Sequence, residues 1–262
     1  MKKWILICTF LLSFSSKAQE VTKPTSGSCA ADGEGNTCVW AYDEQTKTLT
    51  ISGQGKMKTF TTPWSFDSNQ APWSDWASTV KNIIVGEGIT DISTGAFAHT
   101  TVENVSLPES LETIGLQAFS ICRKLGKIEF PSNLRSIQDG AFQYVPLKNI
   151  DIPVSVEHIG CVAFTSDTIE SITLSSATTL GDQLFWDRGS VYPKQALNIY
   201  CKGDVKTCEA NIKATFTNNY TTSTHPVLDT KFHIWRNNRR IYTIEEAEQD
   251  AGEKNTFRIK YR

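Results

Sequence analysis

The sequence predicts a β-rich repeat solenoid, built from short parallel strands joined by turns or short helices, with a β N-terminal cap and a small α+β C-terminal tail. Three observations lead to this fold class. A unit that closes on phenylalanine recurs five times between Val80 and Gly189, at spacings of 22, 23, 22 and 21 residues. Each unit opens with apolar residues that alternate with polar ones, the pattern of a strand with one buried face. A period in the twenties is typical of solenoids, whose units bury their apolar side only against neighbouring units.

Residues 1–18 predict a signal peptide. Lys2 and Lys3 form a basic start, and residues 4–14 are an apolar run that is too short to cross a bilayer. We place cleavage after Ala18; the alternative is an ordinary buried N-terminal helix. Cleavage changes the formal net charge from −2 to −5, because it removes three lysines and no acid. The mature chain therefore lacks the basic excess of proteins that coat nucleic acid.

Residues 19–79 are predicted to form the N-terminal cap. Thr48 to Ser52 alternate as a strand, and four tryptophans lie around it in the sequence. Solenoid ends expose apolar faces that atypical terminal units cover, so we expect the tryptophans to pack the cap against the first repeat. The alternative is an exposed platform on which sugar rings stack. The tryptophans are Trp40, Trp64, Trp73 and Trp76.

Residues 80–210 are predicted to form five to six solenoid turns. The units, called rows one to five below, begin at Val80, Val102, Leu125, Leu147 and Ile169. Buried strand residues come first, and in rows two to four a proline follows and ends the strand, because it has no N–H for the ladder. Ala196 to Cys201 repeat the strand phase and predict an incomplete sixth turn. The closing phenylalanines, which we expect in the structural core, are Phe97, Phe119, Phe142, Phe164 and Phe185.

The C-terminal part changes character. Residues 211–230 are polar and rich in Thr and Asn, which predicts a linker. Residues 231–262 predict a β-α-β tail, whose helix begins with capping-box spacing at Thr243 and ends near Gly252. The tail has a formal charge of +3, whereas residues 19–230 have −8. We expect the basic tail either to dock on an acidic surface or to be a solvated strand face.

Six cysteines remain after cleavage, and an even number permits disulfides in an exported protein. Two pairs bracket short loops and are the predicted disulfides, namely Cys29 with Cys38 and Cys201 with Cys208. Sequence alone does not choose among the pairings. Cys122 is expected to be a small, half-buried core residue. A zinc site is the alternative to the second of these disulfides, although the close ligand spacing of a structural zinc module is missing. Its ligands would be Cys201, Cys208, His225 and His233.

No sequence motif points to catalysis. The chain has no nucleophile elbow, zinc-protease motif, phosphate loop or dinucleotide-binding fingerprint, and its four histidines lie in unrelated contexts. We therefore expect no enzyme, no catalytic residues, no cofactor and no metal.

The outward residues of the stacked strands are the predicted partner-binding surface. They form a ladder whose chemistry changes from row to row while the core does not. Its candidate binding residues are Ser106, Glu129, Asp151, Thr173 and Tyr200, with Ile84 at the same position in row one. A second ladder beside it is rich in asparagine, and hydrogen bonding between turns is the structural alternative for that ladder. It comprises Asn82, Asn104, Lys127, Asn149, Ser171 and Asn198.

The row pattern I-x-L-P-x-x-L-x-x-I-G-x-x-A-F, clearest from Val105 to Phe119 and from Ile150 to Phe164, resembles the BspA-type leucine-rich repeat of bacterial and protist surface proteins. The segments Trp40 to Asp43, Leu49 to Gly55 and Ala71 to Trp73 are similar to the cap that precedes such repeats. The resemblance implies a curved leucine-rich-repeat-like solenoid on an exported protein, with adhesion or partner binding as the usual role. Row five departs from the pattern, because it lacks the proline and has one residue fewer before Phe185.

We therefore expect an exported binding scaffold, secreted or at the cell surface, with the periplasm as the alternative location. Its expected partner is an extracellular protein or glycan, and no nucleic acid. Two alternatives stay open: a carbohydrate-binding or carbohydrate-active protein that uses the tryptophan-rich cap, and a structural spacer without a discrete ligand. No transmembrane segment is expected, because no stretch after the leader approaches the ~20 apolar residues of a spanning helix.

Overall fold

The computed structural model describes residues 23–33, 35–60, 71–185, 197–217, 227–228, 233–236, 239–245 and 255–261. The predicted signal peptide, Trp64 and His225 lie outside these residues. The domain boundaries given above stay a prediction, although the elements inside them are described.

The N-terminal cap is an antiparallel meander that joins the solenoid through a parallel strand pair. Its strands are β1 (Ser26–Ser28), β2 (Val39–Asp43), β3 (Thr48–Ser52) and β4 (Gly55–Lys56). β1, β2 and β3 pair antiparallel. Trp40 and Tyr42 in β2, and Leu49 and Ile51 in β3, are buried, whereas the residues between them face outward. A short 3-10 turn at Ser74–Trp76 precedes row one.

Short strands recur along rows one to five. They are β5 (Asn82–Val85), β6 (Ile89–Ile92), β7 (Asn104–Ser106), β8 (Thr113–Ile114), β9 (Ser136–Ile137), β10 (Asn149–Asp151), β11 (His158–Ile159), β12 (Ser171–Ser175), β13 (Thr179–Leu180) and β14 (Leu197–Lys202).

These strands form parallel ladders on two sides of the coil. On the first side, β3, β5 and β7 pair in that order, as do β10, β12 and β14. On the second side, β4, β6, β8, β9, β11 and β13 pair in that order. The same position stacks from row to row: Ile92 lies opposite Ile114, which lies opposite Ile137. The predicted β-rich solenoid is confirmed.

Row three is fully described, and it forms no strand on the first side. The stacking of strands is therefore interrupted at this row, and the first side splits into two blocks. Two sequence features account for the break. Row two has an extra residue between Phe119 and Leu125, and Gly126 places a conformationally free residue where the strand would begin. The alternation persists nonetheless, because Ile128 is buried and Glu129 is exposed.

The Ala-Phe turns close each row on a third side and hydrogen-bond to the next row. The N–H of Phe97 donates to the carbonyl of Ala118 at 2.8 Å, and that of Phe119 donates to Ala141 at 2.8 Å. Rows three and four repeat this bond. It satisfies backbone groups that belong to neither sheet.

The residue two positions before each closing phenylalanine has a left-handed backbone. The φ angles are 64° at Gly95, 53° at Gln117, 60° at Gly140, 50° at Val162 and 55° at Gln183. Only two of the rows therefore place glycine, the residue that this conformation favours, at the turn.

An aromatic column runs through the centre of the coil. Its phenylalanines are at most 1% exposed, and they are Phe97, Phe119, Phe142, Phe164 and Phe185. From Phe97 to Phe164, successive ring centroids lie 5.2, 5.2 and 5.5 Å apart. Trp73 of the cap stacks on Phe97 at 5.7 Å, and its indole N–H donates to the carbonyl of Ala96 at 2.8 Å. The cap thus continues the core of the rows.

A helix follows β14. It is α1 (Val205–Thr217), and the carboxylate of Asp204 caps it by accepting the N–H of Thr207 at 2.8 Å. The linker predicted from residue 211 is therefore wrong for residues 211–217, which are helical. The spacing of Asp204 and Thr207 is typical of a helix N-terminus, and the polar composition of residues 211–230 gives no indication of it.

The tail adds four strands to the second block of the first side. They are β15 (Val227–Leu228), β16 (His233–Arg236), β17 (Arg239–Glu245) and β18 (Asn255–Tyr261). β18 pairs antiparallel with β14 and with β17. The predicted helix start at Thr243 is wrong, because Thr243 lies in β17 and its neighbour Ile244 pairs with Ile259. Long-range strand pairing overrides the local capping pattern here. Residues 246–252 of that predicted helix lie outside the described residues.

Candidate binding surface

The first-side strands present a row of outward side chains that we call the strand face. It is defined by Thr50, Ile84, Ser106, Glu129, Asp151, Thr173 and Tyr200. In its first block, Thr50 lies opposite Ile84, which lies opposite Ser106. Ala41 of β2 extends this row beyond Thr50. The first block is uncharged along this row, and the Ile84 side chain is 44% exposed at its centre.

The second block carries three of the five predicted binding residues in register. Asp151 lies opposite Thr173, which lies opposite Tyr200. Asp151 is exposed, whereas Thr173 and Tyr200 are half-buried. Glu129 lies between the two blocks along the chain and outside any strand. The structure thus places Ser106 in one block and these three residues in the other.

Both acidic residues of the strand face pair with lysines. Asp151 lies 2.7 Å from the ammonium of Lys202, and Glu129 lies 2.7 Å from that of Lys127. The hydrogen bond and charge of Lys127 hold the pKa of Glu129 below its ordinary value. The side chains of Asp151 and Glu129 remain 74% and 82% exposed. Such pairs contribute little to stability, so these charges are available to a partner.

The asparagine ladder next to the strand face bonds between turns. Asn104 donates from its amide to Asn82 at 3.0 Å, and Asn82 donates to the hydroxyl of Thr48 at 3.3 Å. Ser171 donates to Asn149 at 2.7 Å in the second block. These contacts favour the structural role that the sequence left as an alternative for this ladder.

Most of the described cap tryptophan surface is not available for stacking on a sugar. Trp40 is 2% exposed and Trp73 is fully buried, and their rings meet edge to face at 5.9 Å. Trp76 is half-buried and stacks on Tyr42 with ring centroids 4.8 Å apart. A sugar platform needs an exposed ring face, so these contacts favour packing of the cap.

The structure joins Cys29 to Cys38 and Cys201 to Cys208. These are the two pairs inferred from loop length. The disulfide at Cys201 and Cys208 removes two of the ligands of the alternative zinc site. Within the described ranges, no cluster of three or more His, Cys, Asp or Glu side chains is arranged to hold a metal ion.

Cys122 and Cys161 are free. Cys122 is fully buried rather than half-buried as expected, because its thiol packs between rows and donates to the carbonyl of Phe97 at 3.1 Å. Burial raises the pKa of the Cys122 thiol to about 12 and also raises that of Cys161. Because the thiolate is the reactive form, neither thiol is suited to nucleophilic chemistry at neutral pH.

A small cleft that the sequence reasoning missed opens at the turn edge of rows two to four. Its volume is about 260 Å³. The extra residue of row two is the signal in the sequence that could have located it. The cleft is lined by Arg123, Tyr144, Pro146, Ser166 and Asp167.

Comparisons with known proteins agree with this architecture. The model of the BspA type leucine rich repeat region matches residues 76–191 in 6 copies. A leucine-rich repeat protein from Eubacterium ventriosum ATCC 27560 aligns with a TM-score of 0.53 and 17% identity, over 76% of this chain and 45% of that one. The T. pallidum leucine rich repeat protein aligns with a TM-score of 0.40 and 24% identity, over 56% of this chain and 63% of that one. The comparison with curated proteins finds no match.

The chain thus spans 45% and 63% of the lengths of these two solved structures. The likeness to the Eubacterium ventriosum protein shows the fold alone. Among the described residues, no helix has the length and apolar character needed to cross a membrane. The row spacing, the stacked register and the six repeat copies lead to one conclusion. Residues 76–191 of the chain form a repeat region of the BspA leucine-rich type.

Proposed function

We propose that this protein is an exported, non-catalytic scaffold, secreted or displayed at the cell surface, that binds an extracellular protein or glycan through the strand face. One observation carries the proposal. The residue that closes each row in the core is always a phenylalanine. The outward residue of the first-side segment, by contrast, changes from Ile84 through Ser106, Glu129 and Asp151 to Thr173. A surface that varies on a uniform core is suited to recognition.

The geometry supports this role. Paired strands hold their outward side chains roughly 4.8 Å apart across the ladder, so a partner meets a pre-ordered array. The uncharged first block around Ile84 offers apolar contact. Asp151 and Glu129 add exposed charges in and beside the second block. Pre-ordering lowers the entropy cost of binding.

Export is supported by the disulfides on both sides of the repeat region and by the leader pattern of residues 1–18. N-terminal sequencing of the protein recovered from the surface or medium of its native cell tests this part. A mature chain that begins at Gln19 is the expected result, and recovery of the protein only from the cytoplasm would contradict it.

Charge reversal tests the strand face. The mature protein is immobilised and exposed to extracellular matrix proteins and to a glycan array. A variant with Glu129→Lys and Asp151→Lys should lose at least about tenfold in affinity for the partner found. Loss of binding with retained melting temperature supports the strand face.

Glu157→Lys is the matched control. Glu157 is 71% exposed in a 2.8 Å pair with Arg135, which resembles the pair of Asp151, but it lies on the second side. This control should bind as the unaltered protein does. Equal binding by the strand-face variant and the control would contradict the proposal. If the unaltered protein bound neither a matrix protein nor a glycan, the result would favour the structural spacer without a discrete ligand.

A further inference from the structure

The cleft at the turn edge combines side chains from three consecutive rows. Arg123 comes from row two, Tyr144 and Pro146 from row three, and Ser166 and Asp167 from row four. None of these residues belongs to the strand face. The cleft is therefore a second candidate site with its own chemistry.

The cleft follows from a difference in row length. Five residues separate Phe119 from Leu125, whereas four separate Phe142 from Leu147. The extra residue carries Arg123 outward at the rim. The walls below it are fixed, because the N–H of Tyr144 donates to the carbonyl of Thr165 at 2.7 Å and Ser166 is 4% exposed.

The charges in the cleft are of both signs. The exposed Arg123 guanidinium makes no hydrogen bond or ion pair with any residue that the structure describes. A free guanidinium binds a carboxylate through two parallel hydrogen bonds. The carboxylate of Asp167 accepts hydrogen bonds, whereas the Ser166 hydroxyl is already bonded to Thr168, at 2.9 Å to its hydroxyl and 3.3 Å to its N–H. A phosphate-rich ligand is disfavoured, because Asp167 would repel its additional negative charge.

The size and the walls narrow the ligand further. A volume of about 260 Å³ gives room for one sugar ring. The Tyr144 ring and the Pro146 ring offer apolar surface for the C–H face of such a ring. A ligand that uses every group needs one carboxylate, several hydroxyls and a compact apolar face.

We propose that this cleft binds a single acidic sugar residue, with its carboxylate on Arg123 and its hydroxyls on Asp167. Uronic acids and sialic acids share this chemistry. A ligand of this size binds with a dissociation constant on the order of 1 mM, so the site would act as one contact within a larger glycan.

Saturation-transfer NMR on the mature protein tests the proposal, with glucuronate and N-acetylneuraminate as separate probes. At least one of them should show saturation transfer, and which one binds distinguishes the two sources. Arg123→Gln should weaken binding about tenfold or more, and Asp167→Asn should weaken it several-fold. Lys124→Gln is the matched control, because Lys124 is the adjacent exposed cation. It should change the affinity less than about twofold.

Several results would overturn the proposal. They are no transfer to either acidic sugar, equal binding of glucose, displacement of the sugar by an equal concentration of acetate, and an equal loss in Lys124→Gln and Arg123→Gln. Melting curves of each variant exclude unfolding as the cause of a loss. Because these residues lie outside the strand face, a negative result here leaves the strand-face proposal to its own test.

Discussion

Phe119 and Phe142 stack face to face, with ring centroids 5.2 Å apart and ring planes 5° from parallel. Phe142 and Phe164 repeat the arrangement at 5.5 Å and 3°. The rings therefore hold one orientation through the middle rows. Each ring fills the space between its neighbours, so the stability of a row depends on the rows above and below it.

Phe142→Ala should lower the free energy of unfolding by about 3–5 kcal/mol, because it empties a fully buried aromatic site in a close-packed column. Denaturant melts followed by circular dichroism measure the change. Val154→Ala is the control, since Val154 is 66% exposed, and it should have almost no effect. A loss below about 1 kcal/mol for Phe142→Ala would mean that the column does not hold the rows together.

Val162 and Gly140 occupy the same left-handed turn position in adjacent rows, with φ of 50° and 60°. A β-branched residue in this conformation is strained by about 1–2 kcal/mol, whereas glycine is not. Val162→Gly should therefore leave stability unchanged or raise it by up to about 1 kcal/mol. Gly140→Val should lower it by at least about 1 kcal/mol, also because its Cβ would lie 3.2 Å from the Gln117 side chain. Equal losses in the two variants would contradict this account.

Asp91 is opposite Lys56 and Thr113 on the second side. Burial, aided by the charge of Glu112 and opposed by Lys56, raises the pKa of Asp91 from 3.8 to about 6. The folded state therefore binds this proton more tightly than the unfolded state. The stabilising contribution of protonated Asp91 to the free energy of unfolding is fully present below about pH 4 and is lost as the pH rises through about 6.

Asp91→Asn should consequently be more stable than the unaltered protein at pH 7, by at most about 3 kcal/mol. The difference between the two proteins should shrink as the pH falls from 7 to 4. Urea melts at pH 4, 5, 6 and 7 measure it. Glu103→Gln, at an exposed carboxylate, is the control. A difference that stays constant with pH would show that Asp91 does not titrate in this range.

The Cys29–Cys38 disulfide closes a short loop in the cap, with a separation of 9 residues. Replacing both cysteines with serine should cost about 2–3 kcal/mol through the greater freedom of the unfolded cap. Because a solenoid is stabilised by nearest neighbours, the loss should be local. Hydrogen exchange should accelerate in β2 and β3 and change little at Phe142. Cys161→Ser, at a free cysteine, is the control, and uniform acceleration along the chain would contradict a local effect.

The regular part of the fold could be predicted because it repeats. Five equivalent phenylalanines and the alternation in each row predict the coil, the buried residues and the outward face. The same repetition hid the exceptions. The extra residue in row two is small in sequence, yet it accompanies both the missing strand of row three and the cleft at Arg123.

The C-terminal part was harder because its signals compete. Composition favoured a linker over residues 211–217, but the capping contact of Asp204 and the end of the coil favour a helix there. Thr243 has the spacing of a helix start, but the pairing of β17 with β18 depends on residues that are distant in sequence. A local sequence pattern carries no information about strand partners that are distant in sequence.

The stacking of Trp73 on Phe97 has a consequence for changing the length of the protein. Because the cap supplies the first ring of the column, row one packs directly against the cap. Whole rows of about 22 residues could be added or removed between Phe97 and Phe119, since both cut surfaces there present a phenylalanine ring and a first-side strand. A cut at residue 79 would instead leave Phe97 facing water, so the cap and the repeats must be transferred to another protein as one piece.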